Sequence, residues 1–167
     1  MCRSGRTCSA VDLVFIVAIS ESDSLYRQRY SYHFILHTVN QVAVNESQYK
    51  FAIVTFDDRA SLNVTLRSQS VAEITRYLPY PLGGPRSNLR AALAVARTQA
   101  FSIDNGMRPP AYKAVIVLWD GRAPDAEFGT LVDEAPRLRA ELGADVYLIV
   151  SDEHESQSRY SDGEHLK

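Results

Sequence analysis

Four oxygen-bearing side chains, set at three places in the chain, have the types and spacing to act together. Ser20 and Ser22 close the stretch Asp12 to Ser22, DLVFIVAISES. Ser87 ends the segment Leu82-Gly83-Gly84-Pro85-Arg86-Ser87, and Asp120 stands in Trp119-Asp120-Gly121. Three hydroxyls and one carboxylate are hard oxygen donors, the set that suits Mg²⁺, Mn²⁺ or Ca²⁺ rather than a soft metal. Plainer roles stand beside this one. The serines can cap a helix, Gly83-Gly84 can serve only a tight turn, and Asp120 can satisfy the amides of its own turn. No Gly-x-x-x-x-Gly-Lys-Ser or Gly-x-Gly-x-x-Gly run points to a nucleotide, and no Gly-x-Ser-x-Gly elbow points to a serine hydrolase. Catalysis is therefore not expected. His33 and His37 fall four apart on one helix face; without a third ligand in view they read as an exposed pair. Tyr26, Tyr30 and Tyr32 read as core or helix-face residues, with an exposed one near the upper loops available to a ligand.

The elements that must position these residues follow from periodicity. Leu13 to Ile19 is an unbroken apolar run, as expected of a strand buried on both faces of a parallel sheet. Leu25, Tyr26, Tyr30, Phe34, Ile35, Val39 and Val42 then recur every three or four residues, which predicts an amphipathic helix capped by Ser22 or Asp23. Tyr49 to Phe56, YKFAIVTF, is a second buried strand. Asp57-Asp58-Arg59 is a turn, and Leu62, Val64 and Leu66 alternate with Asn63 and Thr65 as a returning, half-exposed strand. Val71 to Leu78 forms a short helix stopped by Pro79 and Pro81. The Gly83-Gly84 loop, whose glycines permit unusual backbone angles, leads to a helix over Leu89–Phe101 capped by Ser87 or Asn88. Ala114 to Leu118 is a third central strand, Leu131 to Leu142 a helix ended by Gly143, and Asp145 to Val150 a fourth buried strand.

This alternation predicts an α/β fold: a doubly wound three-layer sandwich, its central sheet mostly parallel with one antiparallel edge strand, and helices on both faces. Both the serine pair and Asp120 follow parallel strands, and the Gly-Gly loop enters its helix from the same side. The three loops thus meet on the carboxyl edge of the sheet, where open α/β sheets bind ligands.

At 167 residues, 46% hydrophobic and 23% charged, the chain has the bulk and composition of a single globular domain. A net charge of −2 without a basic block argues against nucleic acid as a partner. No apolar run is long enough to insert in a membrane. Residues 1–10 form a polar extension with Cys2 and Cys8, opening without an apolar leader as a segment cut from a longer chain would. The two cysteines form one disulfide, locally or with partners elsewhere, or are free thiols. Asn45-Glu46-Ser47 and Asn63-Val64-Thr65 are glycosylation sequons, which together with the cysteines point to a secreted or cell-surface glycoprotein.

The order of AISES, YKFAIVTFDDRASLNVTL, GGPRSNLRAAL and WDG resembles the von Willebrand factor type A family, which includes the integrin inserted domains. The resemblance spans almost the whole of residues 11–167. The family's first motif is Asp-x-Ser-x-Ser, its second a Gly-Gly-x-Thr-type loop before a helix, and its third Thr-Asp-Gly. It implies a metal-ion-dependent adhesion site whose divalent cation is completed by a carboxylate of the ligand. By position, Ser20, Ser22, Ser87 and Asp120 match the metal-binding residues, with Ser87 in place of threonine. Ala18 stands where the family has aspartate, and Trp119 where it has a small hydroxyl residue. One carboxylate remains to offset two positive charges, because Glu21 points away from the face Ser20 and Ser22 share. No cofactor is expected to be required, and Mg²⁺, Mn²⁺ or Ca²⁺ is expected to bind weakly at most.

The resemblance implies a non-enzymatic extracellular adhesion module of a larger matrix or cell-surface protein. Its partner would be a protein such as collagen or another matrix component, together with other domains of its parent chain. The alternatives are a domain that grips a ligand carboxylate through a weakened metal site, and a partner-recruiting domain of a complement-like protease. The family closes with a final strand and a long last helix. Ser151 to Lys167 is too short and polar for both, so the domain is expected to be truncated or reduced at that end.

Overall fold

The computed structural model describes residues 10–19, 25–42, 48–67, 71–76, 83–119 and 125–150. Five strands, β1 (Val11–Ala18), β2 (Tyr49–Phe56), β3 (Ala60–Val64), β4 (Tyr112–Trp119) and β5 (Asp145–Val150), form one sheet in the order β3-β2-β1-β4-β5. All neighbours are parallel except β2 and β3, which form the expected hairpin. The chain builds outward from β1 to β2 and β3, then crosses to β4 on the other flank of β1. The strand order therefore reverses between β1 and β4, and their carboxyl ends flank the crevice that such a reversal opens.

β1 is buried along almost its whole length because both of its faces are covered. Val14, Ile16 and Ala18 pack with Val54, Phe56, Val117 and Trp119 beneath α3 (Leu89–Val95) and Leu138 of α4 (Asp125–Leu142). Leu13, Phe15 and Val17 face the other way, against Ile35 and Val39 of α1 (Leu25–Val42) and Ile74 of α2 (Val71–Arg76). Phe15 stacks on Phe51 and meets Phe34 edge-on, with ring centroids 6.2 and 6.4 Å apart. The three-layer sandwich is as the periodicity predicts.

At the amino edge of the sheet, Asp12 is fully buried and held by Arg108. The Arg108 amide donates to Oδ2 at 2.7 Å and its Nε to Oδ1 at 2.8 Å. The guanidinium also donates to the carbonyls of Val11 and Gln48, so one side chain ties the starts of β1 and β2 to the loop before β4. A buried carboxylate is tolerable only with such pairing.

Several boundaries differ from expectation. The helix expected over Leu89–Phe101 is α-helical only to Val95 and continues as a wider turn over Ala96–Ala100, closed by the Phe101 amide on the Ala96 carbonyl. Leu89, Leu93, Ala96 and Ala100 nonetheless share the buried face. β4 starts two residues earlier than Ala114 and takes in Trp119, and α4 starts at Asp125 rather than Leu131. Gly143 ends α4 in the left-handed region, at φ 65°, its amide bonded to the Arg139 carbonyl. β5 corrects the reading of a fourth buried strand. Tyr147, Leu148, Ile149 and Val150 are exposed, because among the described strands β5 lies at the sheet's edge and pairs on one side only.

Candidate functional site

The upper edge is built by one carboxylate that the sequence reading assigned only to a turn. β2 ends in Asp57, whose amide donates to the Arg59 carbonyl at 2.9 Å to close the hairpin turn. Its side chain accepts from the Arg59 amide at Oδ1 and from the Gly84 amide at Oδ2, both at 2.8 Å. Its own carbonyl accepts from the Asn88 amide at 2.7 Å. Asn88 in turn caps α3, its Oδ1 accepting from the Ala91 amide at 3.0 Å. Of the two expected caps, Asn88 rather than Ser87 fills the role. The Gly83 amide donates to the Ile19 carbonyl at 2.7 Å, just past the end of β1. The chain just past β1 at Ile19, the hairpin turn and the Gly-Gly loop are thereby held as one unit, and Ser87 is buried beside them.

This geometry also corrects the role of the glycines. Neither Gly83 nor Gly84 has a positive φ. Gly83 is needed for space: a Cβ there would lie 2.2 Å from Oδ2 and 2.8 Å from Cβ of Asp57, whereas one on Gly84 would lie 2.5 Å from Oδ2 of Asp58, an exposed side chain that can swing aside. Backbone must come this close for the Gly84 amide to reach the carboxylate. Burial by itself pushes the Asp57 carboxyl up, but the hydrogen bonds from Arg59 and Gly84, with the charge of Arg59, hold it below the usual carboxylate value.

Of the residues matched to the metal site, Ser87 and the replaced position Ala18 are described; Ser20, Ser22 and Asp120 lie outside the described residues. So do Cys2, Cys8 and the sequon at Asn45. Ala18 is only 2% exposed and packs in the apolar cluster with Phe56 and Trp119. The position that carries a carboxylate in the family motif is here part of the hydrophobic core. Asp57, the acid bound directly to the Gly-Gly loop, has an amide on each carboxylate oxygen. Among the described residues no cluster of three histidine, cysteine or acidic side chains could hold an ion. Of the matched donors, the described part of this edge holds Ser87 alone, and a tightly held divalent cation needs carboxylates among its ligands.

Asn63 is half-buried rather than turned fully outward. A register shift between Ile53 and Val54 lets its Nδ2 donate to the buried Thr55 hydroxyl at 2.7 Å. Below the upper edge, Tyr30, Ser31, Phe34, Leu118, Trp119 and Ile149 line a small cavity of about 80 Å³, with Tyr30 at its exposed rim. Pockets for drug-sized ligands are several times larger, at about 300–1,000 Å³.

A family model of the von Willebrand factor type A domain matches residues 12–161. The chain belongs to that family, as its strand order and loop motifs lead one to expect. Matrilin-1 of Mus musculus is 26% identical over 153 residues, covering 89% of this chain and 29% of the matrilin; Homo sapiens matrilin-1 is 24% identical over the same length. Among solved structures, proximal thread matrix protein 1 from the mussel byssus superposes with a TM-score of 0.73 at 22% identity, over 84% of this chain and 38% of that one. A further structure of the mussel protein, with a zinc-occupied metal-ion-dependent adhesion site motif, has a TM-score of 0.71 at 23% identity. The chain thus spans about a third of the length of these relatives.

Proposed function

We propose that this domain is an extracellular, non-enzymatic protein-binding module of a larger matrix or cell-surface protein, and that it binds its partner without a metal ion. The observation that carries the second half is Ala18. A methyl group sealed into the core beside Phe56 and Trp119 stands where the family motif supplies a carboxylate. The first half rests on membership of the family and on the names of its relatives, matrilin-1 and a thread matrix protein. Collagen or another matrix protein is the partner class this suggests.

In this reading the upper edge works as a preformed protein surface. Asp57 fixes the loops, and the exposed side chains of Arg59, Arg86 and Arg90 stand around them beside the exposed Asp58. Such a rim favours a partner that offers acidic side chains, with charge setting the encounter rate more than the final affinity. The glycan acceptors would be Asn45 and Asn63, and a bond between Cys2 and Cys8 would close the amino-terminal extension.

A binding screen against collagens and other matrix proteins, run with and without EDTA, tests the proposal. Retention of binding in EDTA is the expected result. Loss of binding in EDTA, or low-micromolar calorimetric binding of Mg²⁺ or Mn²⁺ at the upper loops, would overturn metal independence and favour the weakened-site alternative.

A further inference from the structure

We infer that the outer face of α1 carries a two-imidazole site for a borderline transition-metal ion, formed by His33 and His37. The two residues are one turn apart in the middle of an 18-residue helix, and both are exposed. On a helix, side chains four apart have Cβ atoms about 5–6 Å from one another. This is the spacing by which a pair of helical histidines grips a single zinc ion.

The scaffold is rigid at that point. Ile35, between the two histidines, and Val39, just beyond them, are buried against the sheet, so the helix cannot rotate to separate the pair. Thr38 bonds back to the Phe34 carbonyl at 2.8 Å. The half-buried Tyr32 ring lies edge-on to His33, with centroids 5.2 Å apart, and limits its rotation. Ligands fixed in this way lose less entropy on binding.

Neutral imidazole nitrogen suits Cu²⁺, Ni²⁺ and Zn²⁺, and two such ligands leave the remaining coordination positions to water. Mg²⁺ and Ca²⁺ demand oxygen ligands and are excluded from this pair. Among the described residues no third histidine, cysteine or acid stands with them, and Arg29 lies exposed one turn before His33. Both facts place the affinity below that of a structural zinc site. Copper should bind most tightly, then nickel or zinc. The site lies on the helical face of the domain and is independent of the upper-loop reading.

Calorimetric titration of the chain with Ni²⁺ and Zn²⁺ in a non-coordinating buffer tests this, on a Cys2→Ser, Cys8→Ser background that removes the thiols. The parent chain on this background, with both histidines, is expected to bind one ion at this site, and amide NMR shifts should centre on residues 33–37. His33→Asn and His37→Asn should each weaken binding at least about tenfold, since the second imidazole acts at a millimolar or greater effective concentration. Both changes are at exposed positions and should leave the circular dichroism spectrum and thermal midpoint unchanged. The inference fails if the double variant binds as tightly as the parent, if only one histidine matters, or if Ni²⁺ at about 1 mM shifts no amide in α1.

Discussion

Replacing Asp57 by asparagine should loosen the whole upper edge while nearly preserving its shape. The carboxylate holds two backbone amides, of Arg59 and Gly84, at 2.8 Å each. Asparagine keeps one oxygen, so it can accept from one of them and turns an amino group toward the other. A hydrogen bond to a charged group contributes about 1.5–3 kcal/mol. Asp57 is half-buried, so water reaches the abandoned amide and the lower part of that range applies, about 1.5–2 kcal/mol. For a chain of this size the thermal midpoint should fall by roughly 3–8 °C. The pH dependence gives an independent check. The folded-state pKa of Asp57 is depressed, so its charge stabilises the fold fully above the unfolded carboxylate value of about 3.9, and that contribution is lost as pH falls below it toward the folded value. Urea unfolding of both chains at pH 7 and near pH 3 should therefore show a gap at pH 7 that narrows in acid. A gap below about 0.5 kcal/mol at pH 7, at equal m-values, would refute the claim that Asp57 braces these loops. A gap unchanged in acid would refute its electrostatic origin.

Other outcomes follow from the same geometry. Gly83→Ala puts a methyl group 2.2 Å from Asp57 Oδ2, so the loop must move; unfolding should show a loss of about 1–3 kcal/mol, and partner binding through the upper loops should weaken with it. Ala18→Asp buries a carboxylate beside Phe56 and Trp119 and should cost several kcal/mol at neutral pH. Its pKa is raised in the folded state, so the penalty is small below about pH 3.9 and grows as pH rises above it; calorimetry should also find Mn²⁺ bound more tightly than by the parent chain. Asp12→Ala strands Arg108, and denaturant unfolding should report a loss of about 3 kcal/mol, the low end for a broken buried pair because Arg108 keeps the Val11 and Gln48 carbonyls. In protein secreted from animal cells, peptide mass spectrometry should find a glycan on Asn63. The linkage leaves one hydrogen on Nδ2, enough to keep the bond to Thr55.

Much of the fold was legible because hydrophobic period reports burial directly. The limits of α1 and β2 came out as read, since each is amphipathic or apolar along its full length. β5 was misjudged because DVYLIV looks alike whether one or both of its flanks are covered; apolar content reports propensity, and strand order decides exposure. The helix over Leu89–Phe101 kept its buried face through the wide turn at Ala96, so the pattern hid a change in backbone geometry.

At the site, the sequence alone determined the chemistry that is missing: alanine at position 18 has no donor in any fold. It also fixed the loop motifs and, through them, the family. Only the tertiary structure decided what occupies that position's surroundings, because residues 18, 56 and 119 come from three different strands and meet only when the sheet forms. The structure likewise decided that Asp57 organises the edge. Its partner Gly84 is twenty-seven residues away, and the signal for that contact, two adjacent glycines, reads in sequence as flexibility when its physical meaning is proximity.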